Sequence, residues 1–190
     1  MDLYDGTWSK GGPETYITAV NRIYDKLHLP VIVMEFGFAS RGEDFEWHQE
    51  EVDNYLHSIG FKNIDEVKER IGDFAKMVPE KIGMRIMQCV PEDRFPCAVN
   101  LFPHVMKKWP YKNRIPHSEE GQAQFYKELL PMLIEHPYVA GSIIYSWKDS
   151  PKCFACGMED CPCETAWGLL RNDKTLKPAY NAVKLIWTGK

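Results

Sequence analysis

Apolar residues recur along the chain in blocks whose spacing changes from helical to extended and back. Pro13 follows a Gly-Gly pair in the place of a first helical residue, and Tyr16, Ile17, Val20, Ile23, Tyr24 and Leu27 then share one face. This spacing predicts a helix from about Pro13 to Leu27. The next run, Leu29-Pro-Val-Ile-Val-Met-Glu-Phe-Gly37, is short, apolar and β-branched. Bounded by a proline and a glycine, it reads as a strand buried on both faces. The same order returns near the end of the sequence. Ser118 before Glu119 and Glu120 has the form of an N-cap with an acidic first turn, and Phe125, Leu129 and Leu133 carry a stripe to about Glu135, with a kink expected at Pro131. Val139 to Trp147 reads as a second buried strand, and Lys177 to Trp187, with Pro178 at its start, as a closing helix.

Residues 41–117 separate the two strands, far more than the roughly two to six residues usual in such a connection. The first part is expected to be helical: Phe45, His48, Val52, Tyr55 and Leu56 fit one face, and Val67, Ile71, Phe74, Ala75 and Val78 another. Six of the 13 prolines fall between Pro79 and Pro116, which predicts an irregular loop there. Residues 41–117 therefore read as an inserted helical and proline-rich subdomain or lid. The alternation of helix and strand around it favours an α/β architecture with parallel strands.

Composition narrows the function classes. A chain of 190 residues with 44% hydrophobic and 26% charged positions is long enough to bury a sizeable core. Its net charge of -4 provides no field to hold a phosphate backbone, so a nucleic-acid partner is disfavoured. No apolar run approaches the ~20 residues needed to span a bilayer. The opening residues are polar, without the basic and apolar segments of a secretory leader. A soluble protein with no membrane partner is expected, in a compartment left unspecified. Six Trp among 13% aromatics raise the question of which aromatic faces meet a ligand.

In parallel α/β proteins the loops at the carboxyl ends of the strands carry function. Glu35 occupies such an end, where a carboxylate loses solvation and is kept for a catalytic role or a structural ion pair. Trp147 stands at the matching end of the second strand, followed by Lys148 and Asp149. Its indole is suited either to stacking on a sugar ring or to plugging the core.

The run Pro30-Val-Ile-Val-Met-Glu35-Phe-Gly37, then Gly121-Gln-Ala-Gln-Phe-Tyr126, Gly141-Ser-Ile-Ile-Tyr-Ser-Trp147-Lys-Asp149 and Trp167-Gly-Leu-Leu-Arg-Asn-Asp173 through Lys177-Pro-Ala-Tyr180, resembles the C-terminal portion of a clan A retaining glycoside hydrolase. The resemblance implies that residues 1–40 and 118–190 form a partial (β/α)8 TIM barrel, roughly its last three β/α units. It implies Glu35 as the nucleophile ending the seventh strand, Trp147 as a sugar platform ending the eighth, and Asp149 beside it. Asp2-Leu-Tyr-Asp-Gly-Thr-Trp8 is similar to the end of the sixth strand, which puts Tyr4 and, more weakly, Trp8 at the substrate. No cofactor is implied for catalysis. A whole barrel typically takes ~250 residues, so the missing N-terminal barrel part or a second copy is the implied partner besides a carbohydrate substrate.

One piece of the family pattern is missing. A retaining mechanism needs a second carboxyl, which this clan carries in an Asn-Glu pair, and the chain has no Asn-Glu dipeptide. Glu43, Glu46, Asp149 and Glu164 are available, but none ends a strand, and they read as solvated loop acids. A second story lies in Cys153, Cys156, Cys161 and Cys163, four thiols within eleven residues in C-x2-C-x4-C-x-C spacing, with Cys89 and Cys97 in the insertion. The four suit a structural zinc, disulfides or reduced thiols, and spacing alone leaves these open. The functional readings are accordingly a retaining β-glycosidase, a non-catalytic carbohydrate-binding or interaction module derived from one, and a small zinc-binding domain.

Overall fold

A computed structural model describes residues 2–3, 8, 10–44 and 49–189 of the chain. Strand β1 (Asp2–Leu3) leads to helix α1 (Pro13–Leu27) and strand β2 (Val31–Phe36). The insertion then contributes β3 (Glu43–Asp44), α2 (Gln49–Ser58), α3 (Ile64–Glu69), α4 (Ile71–Met77), α5 (Glu80–Gln88), a 3-10 turn at Pro91–Asp93, α6 (Arg94–Met106) and β4 (Lys108–Trp109). Helix α7 (Glu119–Ile134), strand β5 (Val139–Ile144), the short α8 (Pro162–Thr165) and helix α9 (Pro178–Thr188) complete the order.

The helix and strand blocks of the sequence are found where their periodicity puts them. Helix α1 opens on Pro13, and Ser118 caps α7 by accepting a hydrogen bond from the Gly121 backbone N–H at 2.9 Å. Strands β1, β2 and β5 lie side by side in that order, all parallel, with Asp2 opposite Glu35 and Val31 opposite Val139. Helices α1, α7 and α9 cover one face, where Tyr16, Val33, Phe36, Phe125 and Leu129 form a fully buried core.

Two expectations are corrected. Strand β2 is buried on one face only: Val31, Val33 and Phe36 point into the core, whereas Ile32 and Met34, with Ile143 of β5, stay exposed. No layer covers that side among the described residues, so the continuous apolar run of β2 is not a doubly buried strand here, and β5, which stops at Ile144 short of Trp147, has no fully buried residue either. The proline-rich stretch is largely helical as far as Met106, and only its end, residues 110–117, is irregular. Pro79 and Pro91 stand at or just before helix starts, and Pro96 lies in the first turn of α6, where a backbone N–H has no intrahelical partner to lose. Ile82 with Ile86, and Ala98, Phe102 and Val105, keep helical spacing and bury it in the insertion's own core. A disulfide between Cys89 and Cys97 joins α5 to α6.

The Cys-rich loop joins that second core: Cys153, Cys156, Cys161, Cys163 and Trp167 pack with Phe74, Phe102 and Trp109. The two cores meet at the carboxyl ends of β2 and β5. There Gly37 admits no side chain, because a Cβ would stand 2.2 Å from the Tyr145 carbonyl oxygen. The Lys177 ammonium, 1% exposed, donates to Ser40 Oγ and to Asp149 Oδ1, both at 2.7 Å. Among the described residues no helix is long and apolar enough to cross a membrane.

Removing one member of a buried ion pair strands the other charge without solvent. Asp149→Ala is therefore expected to cost about 3–5 kcal/mol in denaturant unfolding, and the double variant Lys177→Met/Asp149→Asn clearly less. A loss below about 1 kcal/mol for the single variant would remove this role from the pair.

Candidate functional site

Strict alternation along β2 would place Glu35 on the same side as buried Val33. The pairing register between β2 and β5 instead shifts between Val33 and Phe36, and Glu35 emerges exposed next to Met34 at the end of the strand. Such irregularities re-aim a side chain next to a site. Strand β5 ends at Ile144, and Tyr145, whose backbone N–H donates to the Phe36 carbonyl at 2.8 Å, leaves it beside Glu35's strand. The Trp167 segment is drawn in by two buried bonds from Gln122 Nε2, to the Phe38 carbonyl at 2.8 Å and the Trp167 carbonyl at 3.2 Å.

These elements enclose a cavity of about 370 Å³ lined by Trp8, Glu35, Tyr145, Phe154, Glu164 and Trp167. That volume falls within the roughly 300–1,000 Å³ of small-molecule sites. Four of the six lining residues are aromatic, and two are carboxylic acids. Tyr145 and Trp167 stand edge to face with centroids 5.9 Å apart, and the Trp167 indole N–H is taken by the Cys163 carbonyl at 2.7 Å.

The two acids differ. Glu35 is exposed at its strand end, whereas Glu164 is half-buried on α8, and burial pushes its carboxyl up to about 7 against the opposing pull of His104 and Arg85. Burial, followed by the negative charges of Glu164 and Glu35, also pushes the Tyr145 phenol up, so both carboxylates act on the same hydroxyl. A carboxyl that holds its proton near neutrality beside a more solvated carboxylate is the usual division between acid and nucleophile.

Of the residues singled out from sequence, Glu35 and Trp8 are brought together in this cavity. Trp147 does not line it: the indole is 63% exposed and packs its edge against Tyr180 with centroids 5.9 Å apart. Asp149 has a different occupation. Its carboxylate is held by Lys177 and by the Gly168 backbone N–H at 2.8 Å, which makes it scaffold for the loop. Tyr4 and Glu46 lie outside the described residues, as do Phe45 and His48. Glu43 is exposed and paired with Lys108 at 3.6 Å. Glu164, taken from sequence as a solvated loop acid, is instead a wall of the cavity. Tyr145, Phe154 and Trp167 were also missed as site residues, although Tyr145 and Trp167 sit inside the motifs quoted above.

Next to the cavity, His104, Cys153, Cys156 and Cys161 form a buried group whose donor atoms all lie within 4.8 Å of one another, able to hold a metal ion. The fourth member is His104 of α6 and not Cys163, which is buried but outside the group. None of these four thiols is in a disulfide.

No family model matches the sequence, and no curated protein does. Solved structures are similar in fold. A GH2 β-galacturonidase from Eisenbergiella tayi superposes with a TM-score of 0.52 at 13% identity, over 100% of this chain and 23% of that one. A β-glucuronidase from Ruminococcus gnavus gives 0.51 at 14% identity, over 100% of this chain and 22% of that one. A β-glucuronidase from Bacteroides uniformis gives 0.50 at 17% identity, over 98% and 14%. The chain thus spans less than a quarter of the length of each of these glycosidases, and what it shares with them is fold.

The Glu164 environment has a measurable consequence. Its carboxyl ionises near 4.5 when unfolded but near 7 when folded, so the unfolded state sheds its proton first as pH rises. The contribution is present in full below about 4.5 and is lost as pH rises through about 7. Glu164→Gln should match the wild-type Tm at pH 4.5 and exceed it at pH 8; a difference that does not change with pH would contradict the burial of this group.

Proposed function

We propose that this chain is the catalytic, C-terminal part of a retaining β-glycosidase that hydrolyses O-glycosidic bonds of oligo- or polysaccharides. The observation that carries the reading is the pairing of Glu35 and Glu164 in one aromatic-lined cavity at the carboxyl ends of parallel strands. Glu35 attacks the anomeric carbon while Glu164 gives its proton to the leaving oxygen, so the C–O bond breaks as the glycosyl–Glu35 ester forms. Glu164, now a carboxylate, takes a proton from a water that attacks the same carbon and frees Glu35. Trp8 offers a face to the ring, and the buried Trp167 backs the wall and helps exclude water. No cofactor enters these steps.

The architecture we propose is a partial (β/α)8 barrel over residues 1–40 and 118–190, with 41–117 inserted. The order of β1, β2 and β5 supports it, because consecutive barrel strands are parallel neighbours. The exposed Ile32, Met34 and Ile143 support it as well: they lie on the side of the sheet away from the helices, where a barrel keeps its packed interior. Further barrel strands, or a second copy of the chain, would cover that face and the open sheet edge. Trp147 remains a proposed platform for a sugar extending beyond the cavity.

The test uses aryl β-galacturonides, β-glucuronides and β-galactosides, the first two because the similar structures carry those names. A 2-deoxy-2-fluoro glycosyl fluoride should label Glu35, read by peptide mass spectrometry, and Glu35→Gln should abolish turnover. Glu164→Gln should lower turnover of substrates with poor leaving groups by about 10²–10⁴ while sparing the first step for dinitrophenyl glycosides, which need no proton. Saturable sugar binding without label or turnover would replace this reading with the non-catalytic carbohydrate module.

A further inference from the structure

We propose that His104, Cys153, Cys156 and Cys161 hold one structural zinc ion, which clamps the inserted helix α6 to the loop that forms one wall of the cavity. This inference stands apart from the glycosidase reading, since it concerns a site that does not touch the reacting atoms.

The spacing of the donors matches the ion. Tetrahedral zinc with Zn–S near 2.3 Å and Zn–N near 2.0–2.1 Å has sulfur–sulfur edges of about 3.8 Å and sulfur–nitrogen edges of about 3.6 Å. His104 Nδ1 lies 3.4 Å from Cys153 Sγ and 3.7 Å from Cys161 Sγ, on either side of that value. All four donor atoms fall within 4.8 Å of one another, so closing them onto one ion takes shifts of a few tenths of an ångström up to about one. The first two cysteines are already aimed together. Between Cys153 and Cys156 the chain reverses in a turn closed by the Gly157 N–H on the Cys153 carbonyl at 2.8 Å, with Gly157 at φ +80°. This conformation suits glycine and turns both side chains to one side.

Chemistry favours the same assignment. Three thiols and an imidazole, all buried, are an unusual filling for a core that could take apolar residues of the same size. Soft thiolates with one imidazole are a donor set that selects zinc over magnesium or calcium. The chain also holds a disulfide, Cys89–Cys97, while these closely packed thiols remain unpaired.

The position gives the ion its purpose. His104 is in the last turn of α6, and its ring contacts the cavity residue Trp8 with centroids 5.4 Å apart. Cys153 precedes Phe154, and Cys161 opens the short α8 that bears Glu164; both residues line the cavity. Besides the buried packing of the loop in the insertion's core, its polar ties to residues 41–117 include Arg41 to Thr165 Oγ1 at 2.6 Å and the exposed pair of Lys107 with Asp160, a kind of pair that contributes at most about 1 kcal/mol. A metal bond between α6 and the loop would add a directional tie to that non-directional packing and so fix where Phe154 and Glu164 stand.

Metal analysis of the protein purified without chelator should find one zinc per chain, and cobalt substitution should give the intense visible bands and sulfur-to-metal charge transfer of tetrahedral thiolate coordination. Chelation under reducing conditions should lower Tm and expose the thiols to a titrant, both reversed by zinc. Cys163→Ser should keep the ion, whereas His104→Ala and Cys161→Ser should lose it. If those variants fail to fold, His104→Cys should retain zinc with a shifted cobalt spectrum. A wild-type chain free of metal after equilibration with zinc, a disulfide among the four cysteines, or loss of zinc in Cys163→Ser with retention in His104→Ala would each overturn the assignment.

Discussion

A single buried ammonium organises the end of the molecule where the strands stop. Lys177 donates at once to Ser40, just beyond β2, and to Asp149, just beyond β5, while its own backbone N–H is bonded to the Leu169 carbonyl at 3.0 Å. Asp149 also takes the Gly168 N–H. A charge buried this deeply is tolerated only where its partners are placed well, so three segments distant in sequence are forced into one arrangement. Gly168 answers to the same constraint, since a Cβ there would lie 2.1 Å from the Asp149 backbone nitrogen. Burial pulls the Lys177 ammonium down from its ordinary range, and the Asp149 carboxylate works against that pull.

The cavity follows from this arrangement. With the ends of β2 and β5 and the Trp167 segment pinned, the register shift before Phe36 sends Glu35 outward, and Tyr145 and Trp167 close beside it. Glu164 then sits where water is scarce and is held partly protonated, a position that costs stability and suits a proton donor. The site is thus assembled by two kinds of buried polar group. Lys177 with Asp149 is satisfied and holds geometry, whereas burial outweighs the pull of His104 and Arg85 on Glu164, the group proposed as the acid.

Residues 41–117 are more than a lid laid over the parallel sheet. Their helices build a core that takes in the Cys-rich loop, so the sequence segment between β5 and α9 belongs in packing to residues 41–117. His104 and the three cysteines lie at that junction, and Trp8 bridges from His104 to Trp109, whose centroid is 5.1 Å away. The proposed zinc and the proposed acid are therefore neighbours by construction.

Local order was legible from the amino acids because it depends on residues a few positions apart. The stripe from Tyr16 to Leu27, the Ser118 cap and the β-branched run before Glu35 each specify their element through spacing and termini, and those elements form. The prolines from Pro79 to Pro103 misled for two reasons: Pro79, Pro91 and Pro96 stand at helix starts or in a first turn, where no intrahelical bond is lost, whereas Pro103 lies inside α6, which continues through it with Phe102 and Val105 buried in the core. Glu35 could be singled out because a strand end is a local feature. Glu164 and His104 could not, since one becomes a cavity wall through a loop that packs back on the insertion, and the other meets Cys153 and Cys161 across 49 and 57 residues. Such meetings depend on loop paths, and loop paths are decided by long-range buried contacts such as the one Lys177 makes; no spacing along the chain encodes them.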